Sequence, residues 1–113
     1  MAYVAAGPLV VFDVSDPLQP ERLAIFDTDD DVGFPGNFRG VCARGTTVYL
    51  AFQSADDSFG ELQVVDASVP TEPRLLGRRR VQHPGGAVNV VGDYAFLAGS
   101  SSVTSSTWSR TTP

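Results

Sequence analysis

The chain contains no lysine: its eight basic residues are all arginine, and 13 acidic residues give a formal net charge of -5. An acidic surface repels phosphate, which argues against a nucleic-acid-binding protein. A single cysteine, Cys42, excludes an internal disulfide framework and a zinc site built from several thiolates. A single histidine, His83, restricts any Ser-His or Cys-His pair to that one residue. No apolar run approaches the roughly 18 residues of a helical membrane span. Residues 1–8 lack the basic stretch that opens a signal peptide. What the chain does have is 11 Gly and 8 Pro in 113 residues, which point to frequent turns. Its 42% hydrophobic content is enough for a packed core and too high for a disordered chain. The length allows one small domain.

Three phrases recur in a fixed order. Ala2-Tyr3-Val4-Ala5 returns as Val48-Tyr49-Leu50-Ala51 and again as Ala95-Phe96-Leu97-Ala98, at spacings of 46 and 47. Leu9-Val10-Val11-Phe12-Asp13-Val14-Ser15-Asp16-Pro17 returns as Leu62-Gln63-Val64-Val65-Asp66-Ala67-Ser68-Val69-Pro70, at an offset of 53. Gly40-Val41-Cys42-Ala43-Arg44-Gly45 matches Ala87-Val88-Asn89-Val90-Val91-Gly92 at an offset of 47. The longer offset places an insertion at 53–60 in the second copy. The chain is a repeat protein.

Each unit reads as strands. Val48 to Phe52 and Leu62 to Val65 are short, mostly apolar and rich in β-branched or aromatic residues. Gly45-Thr46 and Gly92-Asp93 have the composition of two-residue hairpin turns, as does Gly7-Pro8 in the first copy. The recurring proline pairs (Pro17 and Pro20, Pro70 and Pro73) bar a helix after each third strand, because proline lacks the amide hydrogen a helix interior uses. One complete unit holds strands at about 40–44, 47–52, 61–66 and 74–81. Its two middle strands are apolar enough for burial on both faces, whereas the fourth is polar. A four-stranded antiparallel unit with a buried centre, repeated every 46 or so residues, fits a propeller blade better than a stacked solenoid.

The segments from Gly36 to Ala51 and Leu62 to Ser68, with Leu9 to Pro17, resemble the LVIVD repeat, and the resemblance covers about 2–99. It implies a bacterial or archaeal β-propeller, often secreted or on the cell surface, whose repeat carries no catalytic residues. The expected organisation is therefore all-β: consecutive four-stranded antiparallel β-propeller blades, one complete (40–81) and two partial (2–27 and 87–99). A Ser/Thr-rich tail at 100–113 is expected to be disordered. Propellers close with roughly four to eight blades, so this chain is expected to be an incomplete propeller. Further blades would come from a longer parent chain or from a homo-oligomer.

Several residues invite chemistry. Asp13 and Asp66 have the look of a carboxylate pair, yet each ends a strand before Ser15-Asp16-Pro17 or Ser68-Val69-Pro70, where an Asx side chain bonds a turn. They are read as structural. The acidic loops 27–39 and 53–60 are expected on one face, drawing Asp27, Asp29, Asp30 and Asp31 toward Asp56 and Asp57 as a partner surface. Asp29, Asp31, Asp56 and Asp57 would then be candidate Ca²⁺ ligands, since hard cations want several oxygens. His83 is expected on the same face. In Arg78-Arg79-Arg80, strand alternation turns Arg79 away from its neighbours, so the run blunts an exposed outer strand. Cys42 is expected to be a buried, inert thiol. The functional expectation is a non-enzymatic recognition scaffold with an unidentified protein partner, extracellular or on the cell surface. The alternatives are part of a propeller-based hydrolase or lyase, and a Ca²⁺-stabilised structural blade.

Overall fold

The structure, a computed structural model, describes residues 1–81 and 86–98, together with the backbone of 105–108. Its elements in chain order are β1 (Ala2–Ala5), β2 (Leu9–Asp13), β3 (Glu21–Phe26), α1 (Asp29–Val32), β4 (Gly36–Arg44) and β5 (Thr47–Ser54). There follow β6 (Gly60–Asp66), β7 (Arg74–Val81), β8 (Ala87–Val91), β9 (Tyr94–Ala98) and β10 (Ser105–Trp108). Each strand pairs antiparallel with its sequence neighbour, in three sheets: β1-β2-β3, β4-β5-β6-β7 and β8-β9-β10. The described residues are all-β apart from one helical turn.

That turn was not expected. Asp29, Asp30 and Asp31 place negative charge at the amino end of α1, and Gly33 closes it in the left-handed region at φ 76°. A second departure lies in strand length. β4 begins at Gly36 rather than near 40, because the insertion lengthens β5 and gives Gly36–Phe38 partners at Ser54–Phe52. A third correction concerns the tail: Ser105–Trp108 pair with Ala98–Ala95 of β9. Thr and Trp favour strands, and the open edge of β9 offers unpaired backbone groups. The rest of 100–113, and 82–85, lie outside the described residues.

The middle sheet is covered on both faces. Val48, Leu50 and Phe52 of β5 pack with Leu9 and Val11 of the first sheet. Tyr49 and Ala51, on the opposite face, pack with Ala95 and Leu97 of the third. Strand alternation carries this division, and every residue from Val48 to Phe52 is buried as the apolar run requires. The second and third sheets come closest at their first strands. A Cβ on Gly40 would lie 2.9 Å from the Gly86 carbonyl oxygen and 3.0 Å from the Ala87 Cα, so glycine lets the backbones approach.

Both complete outer strands carry a bulge at the same repeat position. Register shifts between Val11 and Phe12 in the β2–β3 pair, and between Val64 and Val65 in the β6–β7 pair. The extra residues are Leu23 and Leu76, 53 apart. Each packs beside the core on the side of the following sheet.

Candidate functional site

The recurring Asp-x-Ser turns are built alike. The Ser15 amide donates to Asp13 Oδ1 at 2.9 Å, and the Ser68 amide donates to Asp66 Oδ1 at 2.9 Å. Beyond each lies a tight turn closed from Gln19 to the Asp16 carbonyl at 3.1 Å, and from Glu72 to the Val69 carbonyl at 2.9 Å. Pro17 and Pro70 take the second turn position, where a fixed φ fits. The Ser15 backbone amide, with its hydroxyl, holds the Asp13 carboxyl below its ordinary range. Ser68 does the same for Asp66, helped by Arg74 at 3.4 Å. The two carboxylates sit in turns of different sheets, each engaged with its own loop. A depression of about 420 Å³ lies beside the second turn, lined by Asp66, Ser68, Val69, Glu72, Pro73 and Arg74.

The insertion forms the tip of the β5–β6 hairpin. Buried Ser54 anchors it: its amide donates to the Phe59 carbonyl at 3.0 Å, and its hydroxyl accepts from the Phe59 amide at 3.1 Å. Asp56 Oδ1 accepts from the Ser54 hydroxyl and from the Ser58 amide, each at 3.0 Å. Ser58 chiefly, through side chain and backbone, keeps the Asp56 carboxyl below its ordinary range. Asp57 takes a left-handed backbone at φ 61° and accepts from the Gln53 side-chain amide.

This hairpin tip does meet the loop that follows β3. The Ala55 amide donates to the Pro35 carbonyl at 2.9 Å, and Phe34 packs edge-on against Phe59 with ring centroids 5.7 Å apart. The contact is made of backbone and aromatic rings rather than of carboxylates. Asp27 accepts from the Asp29 amide at 3.3 Å, while Asp30 and Asp31 are exposed on α1. Asp29 Oδ1 is buried without a hydrogen-bond partner. Among the described residues no three His, Cys, Asp or Glu side chains stand close enough to hold a metal ion. The expected Ca²⁺ site at Asp29, Asp31, Asp56 and Asp57 thus has no ligand cage. The reason is local: the short side chains of Asp56 and Asp57 are turned back onto their own hairpin.

Beneath this rim lies a polar chain that the sequence pattern did not disclose. Thr28, buried at the end of the first sheet, donates its hydroxyl to Gln63 Oε1 at 2.6 Å. Gln63 Nε2 donates to Glu61 Oε1 at 3.2 Å. Glu61 Oε2 accepts from Arg78 at 3.0 Å and from Arg80 Nε at 3.4 Å. Glu61 and Gln63 have no solvent exposure, so two polar side chains occupy the centre of a face that reads as apolar. Register supplies the logic: Glu61 lies opposite Arg80, and Gln63 opposite Arg78. Arg80 also covers the Phe59 ring, 3.8 Å from its centroid. The expected alternation of the arginine run is present, with Arg79 opposite Leu62 on the other face. The signal that could have found the chain was the i, i+2 pair Glu61 and Gln63, facing two arginines across a strand pair.

One other candidate differs from expectation. Cys42 is half-buried rather than buried, opposite Tyr49 near the edge of the second core. His83 lies outside the described residues. The turns of the second and third copies are linked, Arg44 donating to the Gly92 carbonyl at 2.5 Å.

The LVIVD repeat family model matches residues 1–28 and 35–80. These two stretches carry the first and second sheets, and α1 falls in the gap between them. The third copy lies beyond the matched residues. No curated protein and no solved structure matches the chain.

Proposed function

Because the chain belongs to the LVIVD-repeat family, a β-propeller-type repeat, we propose that its sheets are consecutive propeller blades forming a non-catalytic recognition scaffold. The middle sheet is the complete blade, and the sheets on either side are partial ones. The scaffold serves a cell-surface or secreted protein and needs further sheets of the same repeat to close its ring. One observation carries the reading: the middle sheet buries both faces against sheets of its own repeat, leaving the loops as the surface free to vary. The carboxylates that attract attention support it, since Asp13, Asp56 and Asp66 each hold the backbone of their own loop.

The recognition surface in this reading is the rim where 27–35 meets 55–59. It combines exposed Asp30, Asp31, Asp56 and Asp57 with half-buried Phe34 and Phe59. Acidic side chains around two aromatic rings suit a basic, partly apolar protein segment. A photo-crosslinking residue placed at Ser58, in the protein expressed in its own cells, tests this. One discrete crosslinked partner is expected, and it should vanish when Asp56 and Asp57 are both replaced by Asn. Crosslinking that is diffuse, or unchanged by the substitutions, overturns the reading.

A further inference from the structure

Facing in the central strands follows repeat position. Ala2 and Val4, Val48 and Leu50, and Ala95 and Leu97 are equivalent; so are Tyr3 and Ala5, Tyr49 and Ala51, and Phe96 and Ala98. Wherever a preceding sheet exists, the first set faces it: Val48 and Leu50 pack with Leu9 and Val11, while Ala95 and Leu97 pack with Tyr49 and Ala51. The second set faces the following sheet, as Tyr3 and Ala5 do toward the middle sheet. The same joint is therefore made twice within one chain.

Among the described residues two faces are left over. On the first sheet, register puts Val4, Val10 and Ile25 side by side, away from the core. Val4 is 42% exposed and Ile25 56% exposed. On the third sheet, Val91 lies opposite Tyr94 on the outward side, next to Phe96. Their exposures are 60%, 52% and 40%. By repeat position, the first face is one that receives a preceding sheet, and the third is one that receives a following sheet. They are complementary halves of the joint rather than two copies of one half. Contiguous apolar surface of this kind marks an interaction site.

We infer that a second copy of this chain docks head to tail, its third sheet lying on the first sheet of its neighbour. Phe96 and Tyr94 of one copy then meet Val4 and Ile25 of the other, as Tyr49 and Ala51 meet Ala95 and Leu97 within the chain. The inference rests on the propeller reading and names what completes it. Head-to-tail contacts make rings when the rotation closes.

Sedimentation equilibrium of the full chain tests this. The mass is expected to double as concentration rises. Val4→Asp and Phe96→Asp should each remain at the mass of one chain. Mixed in equal amounts, they should form a dimer with one joint, because the third sheet of the former and the first sheet of the latter are both intact. A wild-type chain that stays at one mass at the highest concentration reached overturns the inference. So does either variant dimerising alone, which would mean that like faces pair, and so does a mixture that stays monomeric. Far-UV circular dichroism confirms that each variant is folded. Ile25→Asp and Tyr94→Asp repeat the scheme if either first variant loses its strand signal. A monomeric wild type whose rim still captures its crosslinked partner would sink the joint and leave the scaffold reading standing.

Discussion

Arg78 and Glu61 stand on adjacent strands, and the guanidinium donates at 3.0 Å to a carboxylate with no solvent exposure. A buried charge of this kind is held by what it bonds, since desolvating it unpaired is expensive. Arg80 provides a second donor and Gln63 a third. Arg78→Ala should lower stability by about 1–3 kcal/mol, the usual range for a buried acceptor that loses a partner. Urea denaturation of the purified protein measures it. A double-mutant cycle with Glu61→Gln should show coupling, because each residue loses value without the other.

Thr28 reaches Gln63 across the junction between the first and second sheets. Thr28→Val keeps the shape and removes the donor, leaving Gln63 Oε1 buried without it. A loss of about 1 kcal/mol is expected, typical of one neutral hydrogen bond. Hydrogen exchange should locate the change in β1 to β3, whose amides should exchange faster as that sheet loosens from its neighbour.

Asp13, Asp56 and Asp66 all titrate below their ordinary range because backbone amides and hydroxyls bond the ionised form. Their folded values lie below their unfolded ones. The stabilisation they bring is therefore complete above the unfolded value and disappears as pH falls through the folded one. NMR titration of the side-chain carboxyls should show these three midpoints below 3.8, the reference value for Asp. The Ser15, Ser58 and Ser68 amide signals should shift with the same midpoints. Ser15→Ala should raise the Asp13 midpoint only in part, since the backbone amide is the largest cause and stays.

Two glycines should respond in opposite ways to alanine. A Cβ on Gly36 would run into the Phe52 ring and the Gln53 carbonyl. Gly36→Ala should cost about 1–3 kcal/mol by overpacking a joint that cannot yield. Gly77, within β7, has nothing within 4 Å of its built Cβ. Gly77→Ala should be neutral, or stabilising by about 0.4–1 kcal/mol through a less flexible unfolded chain. Parallel thermal melts compare the two.

The features legible in the sequence were those fixed by local chemistry. Asp13-Val14-Ser15 and Asp66-Ala67-Ser68 announce their turns because an Asx oxygen needs an amide two residues on, and both bonds form. Gly45 and Gly92 announced hairpins and take positive φ, at 60° and 58°. Gly7-Pro8 did so less well: the β1–β2 link runs through three residues, since Ala5 pairs with Leu9. Features set by pairing across distance were not legible. Burial of the strand on both faces was expected from its apolar residues, but nothing local says what satisfies Gln63 there: its partner Thr28 lies 35 residues away. The insertion was visible as a count. That it would lengthen β5 and bond Asp56 back to its own hairpin depended on Ser54, whose anchoring role has no sequence signature.

The bulges at Leu23 and Leu76 separate two duties that a regular strand must combine. In β7, Leu75 and Arg74 keep step with Val65 and Asp66 on one side of the interruption, while Gly77 to Arg80 keep step with Val64 to Glu61 on the other. The leucine between them belongs to neither set of rungs. Its size can therefore change without disturbing the turn below it or the arginine contacts above. A duplicated strand with such a spacer leaves the angle between neighbouring sheets open to adjustment one side chain at a time, while the hydrogen-bonded ladder passes unaltered from copy to copy.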